Sequence, residues 1–161
     1  MSQKYVIVHF IDISKVPGEF PYTEWPLHVT LLANFTISQP LENLIESLEM
    51  YAQETEPFEI MSDGEDLFGP NQNIAVSLIQ LSENIRKLHT DLIVISEKLG
   101  AEYDTPQFMR EGFRPHATRQ TDSHLTNKQK LKLNNLTLVD MYPHNDINRR
   151  RIIKTFKLGS K

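Results

Sequence analysis

The tripeptide His28-Val29-Thr30 returns late in the chain as His116-Ala117-Thr118, and each copy lies in a run suited to a β-strand. Residues i and i+2 of a strand project to the same face. Each copy therefore sets an imidazole beside a hydroxyl on one face. The fold must then contain two strands, far apart in sequence, that bury one face and keep the other open. In the first, Val29, Leu31, Ala33 and Phe35 share an apolar face, opposite His28, Thr30, Leu32 and Asn34. In the second, Arg114, His116, Thr118 and Gln120 share a polar face, opposite Phe113, Pro115, Ala117 and Arg119. Pro26 and Pro115 stand just ahead of the motifs and bias the entry to each strand toward extended backbone.

The surrounding pattern supplies the other elements. Residues 4–12 read as a central strand, 13–26 as a loop punctuated by Pro17, Gly18, Pro21 and Pro26, and 27–37 as the first motif strand. Leu41, Leu44, Ile45 and Leu48 mark a helix from Pro40 to Gln53. Strands are expected near 57–67 and 73–80, joined by a turn around Phe68-Gly69-Pro70-Asn71. A second helix is capped by Ser82, carries Ile85, Leu88, Leu92, Ile95 and Leu99 on one stripe, and ends before Gly100. Residues 101–112 read as a loop, 113–121 as the second motif strand, and 131–142 and 148–158 as further strands around a turn at Pro143-His144-Asn145-Asp146. This order divides into two similar halves, each with one helix and one His-x-Thr strand. A length of 161 residues suits one α+β domain over residues 1–161.

Composition excludes several classes of chemistry. Without cysteine there are no disulfides, thiolate metal sites or cysteine nucleophiles. No apolar run approaches 18 residues, so no transmembrane helix is expected, and the N-terminus lacks the apolar core of a secretory signal. These features fit a cytoplasmic monomer with no membrane association and no obligate protein partner. A net charge of −4 argues against a broad nucleic-acid-coating surface but leaves room for a small phosphate pocket. Lys128, Lys130, Lys132, Arg149, Arg150, Arg151, Lys154, Lys157 and Lys161 crowd the last quarter, the pattern of a solvated charged face.

Two imidazoles facing each other can donate a proton on one side of a phosphorus centre and accept one on the other. A lone His-x-Thr arises easily by chance, whereas two in matching strand contexts are harder to dismiss. No carboxylate stands at ligand spacing to either histidine, so neither a metal nor another cofactor is expected. A metal hydrolase using His28, His116 and a third histidine is the poorer alternative. Arg114, on the face of His116, is a candidate phosphate contact. Tyr142, Phe10, Tyr22, Trp25 and Phe68 are candidates by type for stacking on a base, with Tyr142 and Phe10 preferred. His89 reads as a border residue of its helix and His124 and His144 as loop residues. His9 is open between a structural role and one in the pocket.

Pro26-Leu27-His28-Val29-Thr30-Leu31-Leu32 and Phe113-Arg114-Pro115-His116-Ala117-Thr118 resemble the paired motifs of the two-histidine (2H) phosphoesterases, which include 2′-5′ RNA ligase-like proteins and cyclic phosphodiesterases. The second motif departs from the family pattern after Thr118, where Arg119 and Gln120 follow directly, with Arg119 on the face away from His116. The resemblance implies the bilobal, pseudo-twofold LigT-like α+β fold, with two antiparallel sheets flanking a cleft and helices outside. It also implies an enzyme opening a 2′,3′-cyclic phosphate of a nucleotide or RNA end, with a 2′-phosphate as the expected product. By resemblance His116 is the base, His28 the acid, and Thr30 and Thr118 bind the phosphate, though the two histidines can exchange roles. A 2′,5′-oligonucleotide phosphodiesterase, an enzyme for another small cyclic phosphate, and a non-catalytic module that captures RNA ends or nucleotides are the alternatives.

Overall fold

A computed structural model describes residues 3–161. Ten strands and two α-helices follow in the order β1 (Tyr5–Phe10), β2 (Glu19–Pro21), β3 (His28–Thr36), α1 (Leu41–Glu54), β4 (Phe58–Phe68), β5 (Ile74–Ile79), α2 (Glu83–Glu97), β6 (Glu102–Tyr103), β7 (His116–Thr118), β8 (Lys130–Leu133), β9 (Asn135–Asp140) and β10 (Arg149–Lys157). The strands join as β2-β10-β9-β1-β3-β7-β5-β4-β8, with β6 added to β3, and every pairing is antiparallel. The two sheets expected of a bilobal fold are thus two halves of one open sheet. They meet where β3 pairs with β7 at Val29 and Ala117. No described helix is long and apolar enough to cross a membrane.

Burial follows from which faces are covered. Strand β1 is buried at all six positions because a layer packs on each side. Tyr5 and Ile7 join the main core with Val29, Leu31, Leu44, Leu48, Leu88 and Leu92, beneath the helices. Val6, Val8 and Phe10 join a smaller core with Phe20, Val139 and Met141 on the other side, and Trp25 packs against it. The segment between β1 and β3 covers this second face, so it is more than the expected loop. It contains a 3-10 turn at Ile13–Lys15 and edge strand β2, where Pro21 is tolerated because an edge position need not donate to a ladder.

Helix α2 forms as its caps predict. Ser82 Oγ accepts from Ile85 N at 3.4 Å. Gly100 adopts φ +75, and a Cβ there would lie 1.9 Å from Ser38 Oγ, so both conformation and space demand glycine.

Four strand expectations change. The second motif strand spans only His116–Thr118 instead of 113–121, since 3-10 turns at Pro106–Phe108 and Arg110–Gly112 precede it. The stretch 131–142 divides at Asn134 between lobes: β8 pairs with β4, whereas β9 lies between β1 and β10. The sequence changes there from alternating Lys-Leu-Lys-Leu, suited to an edge, to a run buried on both faces. The expected loop 101–112 also contains β6. In β3, register shifts against β1 break the simple alternation, so Leu31 and Leu32 are both buried and Ala33 is not.

Candidate active site

The Val29–Ala117 pair fixes the geometry. Antiparallel register carries His28 opposite Thr118 and Thr30 opposite His116. Directly opposed side chains have Cβ atoms roughly 4.5–5.5 Å apart and diagonal ones about 7–8 Å, so the two imidazoles are diagonal neighbours across the junction. All four side chains are half-buried and share one face, while Val29 and Ala117 between them are buried on the other.

The same backbone device orients both rings. His28 Nδ1 lies 2.8 Å from the Pro26 carbonyl, and His116 Nδ1 lies 2.8 Å from the Arg114 carbonyl. A carbonyl can only accept, so each Nδ1 carries the proton and each neutral ring keeps a free lone pair on Nε2. In both cases the acceptor sits two residues earlier, within the extended entry to the motif.

The surroundings of the two rings differ. His28 packs against Trp25, with ring centroids 4.5 Å apart, and edge-on to Phe10 at 5.9 Å. This apolar packing strips water from the ring, and burial pushes the His28 imidazole down to about 4; the Pro26 carbonyl opposes the shift and the neighbouring His116 adds to it. His116 meets Phe68 edge-on at 4.6 Å. Burial also lowers its pKa, opposed by the Arg114 carbonyl and reinforced by the Arg114 guanidinium. Arg114 lies 4.9 Å over the Phe68 ring and pairs with Asp66 at 2.9 Å. Asp66 carries no signal in the sequence, because only the β4–β5 hairpin brings it to Arg114.

The aromatic candidates sort differently from the sequence preference. Phe10 is fully buried, so it forms the floor under His28 and offers no face to a base. Tyr142 follows Met141, whose N–H reaches the carbonyl of Lys4 at the far end of β1 from Phe10. Six residues of strand put it about 20 Å from the His28 end, and its ring packs under Lys4 Nζ at 5.5 Å. Tyr22 stands with Arg150, whose guanidinium lies 5.9 Å from its ring. Trp25 and Phe68 are the half-exposed rings beside the motif histidines.

The remaining expectations resolve by burial and pairing. His9 shares the face of Val29, is buried, and places Nδ1 3.0 Å from the Asn135 carbonyl, away from the cleft. His89, expected at a helix border, is buried too. Arg119 lies apart from the imidazoles, lining a hollow of about 440 Å³ with Glu65, Gln72 and Ser77. Five of the nine late basic residues pair with acids: Lys128 with Asp63, Arg149 with Glu19, Arg151 with Asp140, Lys154 with Glu49 and Lys161 with Glu54. Among the described residues, no group of three or more His, Asp or Glu is placed to hold a metal ion.

Comparison with known proteins bears on the fold and the family. The structure is similar to TT0787 of Thermus thermophilus, at 18% identity and TM-score 0.60, over 98% of this chain and 99% of that one. It is also similar to E. coli LigT solved with 3′-AMP, at 14% identity and TM-score 0.59, over 98% and 99% of the two chains. At these identities the likeness concerns the fold. No curated protein matches the chain significantly. The model of the 2′-5′ RNA ligase superfamily matches residues 10–133, the span that contains both motifs. The chain belongs to the 2′-5′ RNA ligase superfamily, among the two-histidine phosphoesterases.

Proposed function

We propose that this protein opens the 2′,3′-cyclic phosphate of a nucleotide or RNA end by acid–base catalysis between His28 and His116. The observation that carries the reading is the symmetric pair of rings, each with Nδ1–H tied to its own backbone and Nε2 available on the shared face. A cyclic phosphodiester needs one group to take a proton from the attacking water and another to give one to the leaving oxygen. Thr30 and Thr118, diagonal to each other in the same square of side chains, donate to the non-bridging oxygens, where charge grows in the transition state. Arg114 supplies positive charge at the rim once substrate competes with Asp66. Trp25 and Phe68 provide the apolar surfaces against which a base can stack.

The electrostatics favour an order of roles opposite to the one implied by resemblance. Burial lowers both rings and takes His28 down to about 4, a shift to which the neighbouring His116 adds, so we take His116 as the ring that carries the proton. In hydrolysis, neutral His28 is therefore the base that accepts from water. Protonated His116 is the acid that gives its proton to the leaving 3′ oxygen, so the product carries a 2′-phosphate. A nucleotide substrate agrees with the solved relatives, since LigT has been crystallised with 3′-AMP, NADP+ and ATP.

The test is hydrolysis of the four 2′,3′-cyclic nucleotides and of a short RNA with a 2′,3′-cyclic phosphate end, in EDTA, with identification of the product. Turnover to 2′-phosphates is expected. Release of 3′-phosphates would overturn the stated leaving group, and dependence on added metal would overturn the two-histidine chemistry. Absence of turnover would replace this reading by 2′,5′-linked oligonucleotides as substrates, and, if those also fail, by nucleotide capture without reaction.

A further inference from the structure

His89 lies outside the cleft, in the middle of α2, with 2% of its surface exposed. A buried histidine with no contact to substrate has no part in the reaction above, yet both ring nitrogens are engaged. Nδ1 lies 2.7 Å from the Leu31 carbonyl, so it carries the proton. Nε2 then holds a lone pair, and it accepts the backbone N–H of Arg110 at 3.0 Å. The ring lies flat on Phe113, with centroids 3.9 Å apart and planes within 1° of parallel.

These contacts connect the two motif segments. Leu31 immediately follows Thr30 in β3, whereas Arg110 and Phe113 lead into Pro115 and His116. The direct link between β3 and β7 is short, with Val29 and Ala117 as the paired residues. The same register places Leu31 opposite Pro115, beyond the end of β7. The pairing with β7 ends there, and Leu31 is the residue skipped where the β1–β3 register shifts between Thr30 and Leu32, so its carbonyl is satisfied by His89. The Pro115 carbonyl faces β5, where it accepts from Ile79, which ties this turn to the second lobe.

We propose that His89 is a positioning residue: it bridges β3 at Leu31 to the turn at Arg110 that leads into His116, beyond the single Val29–Ala117 pair, and so sets the separation and orientation of the His28 and His116 rings across the lobe junction. Only the neutral ring can do so, because a proton on Nε2 would confront the Arg110 N–H. Burial lowers its pKa and, with the nearby Arg110 guanidinium, holds it in that form. The kinetic part of the inference rests on the proposed hydrolysis, but the geometric part does not.

The experiment compares wild type, His89→Phe, His89→Gln and His89→Asn. Phenylalanine keeps the ring and its packing on Phe113 but loses both hydrogen bonds. Glutamine places an amide oxygen near the position of Nε2 and restores an acceptor for Arg110. Asparagine places an amide nitrogen near the position of Nδ1 and restores the donor to Leu31. NMR titration of the His28 and His116 rings reads the site without requiring turnover, and cyclic-nucleotide hydrolysis reads its function. With a folded His89→Phe protein, both titrations are expected to move toward the ordinary histidine value as the junction loosens. We expect kcat to fall about tenfold or more, as misplacement of reacting groups does, with KM changed less than about twofold. His89→Gln should recover part of kcat.

Unchanged titrations and kcat in His89→Phe, even with a lower thermal midpoint, would reduce His89 to ordinary core and overturn the proposal. Should His89→Phe fail to fold, the titrations and kcat of His89→Asn, which keeps the donor to Leu31 but loses the Arg110 contact and the packing on Phe113, decide between the same outcomes. Should wild type show no hydrolysis, the proposed activity fails while the titrations still decide the positioning role.

Discussion

The two halves of the site share a backbone and differ in their walls. Each histidine follows a proline-bearing entry, gives its Nδ1 proton to the carbonyl two residues back, and has a threonine two residues on. His28 nevertheless sits in an aromatic corner made by Trp25 and Phe10, whereas His116 meets Phe68 beside an exposed Arg114–Asp66 pair. The backbone device fixes the tautomer equally in both halves. The walls decide how readily each ring takes a proton. Near-symmetric halves can thus suit two asymmetric jobs, as the proposed hydrolysis requires with one ring charged and its partner neutral.

The sharpest way to break this comparison is to remove each ring in turn. His28→Ala and His116→Ala should each lower kcat on 2′,3′-cyclic nucleotides by about 10²–10⁴. A nucleotide aryl phosphodiester, whose phenolate leaves without a proton, should separate the roles. His116→Ala should retain most of its activity on that substrate, whereas His28→Ala should not. The reverse pattern would exchange acid and base.

A smaller effect concerns acid stability. Burial lowers the pKa of His9, His28, His89 and His116 in the folded protein. As pH falls below about 6.5, the unfolded chain takes up protons that these folded sites refuse, so stability falls. For His28 the loss runs from about pH 6.5 to about 4 and amounts to roughly 3 kcal/mol, with no further loss from this residue at lower pH. Urea unfolding at pH 7, 5.5 and 4.5 measures the decline. Trp25→Ala should flatten it by returning water to His28, and equal stability at the three pH values would contradict the desolvation of these rings.

The smallest effect belongs to the other wall. Asp66 and Arg114 are both largely exposed, so Asp66→Asn should change folding stability by less than about 1 kcal/mol. Its effect should appear in substrate binding, where Arg114 no longer has a competing carboxylate. A KM lowered a few-fold with unchanged kcat is expected, and an unchanged KM would show that Arg114 does not meet the phosphate.

Much of this was legible in the chain. The periodicity of α1 and α2, the cap at Ser82, the stop at Gly100 and the paired His-x-Thr strands are local patterns, and the structure realises them with boundary shifts of a few residues. Elements whose identity depends on distant partners were harder to read. Strand β2 exists because β10 offers an edge. The split at Asn134 sends adjacent strands into different lobes, and the alternation before it was the available clue. Tyr142 and Phe10 were reasonable by type, but one lies at the wrong end of β1 and the other is sealed beneath the site.

By itself the sequence determined which side chains share a strand face, because alternation along an extended backbone is a local consequence of covalent geometry. It thereby determined the two His-x-Thr pairs and the chemistry they suit. Only the tertiary structure decided that β3 and β7 lie side by side, that Trp25 dries one histidine while Asp66 and Arg114 flank the other, and that His89 bridges Leu31 to Arg110. Those relations join residues tens of positions apart, and no local rule specifies which of them will meet.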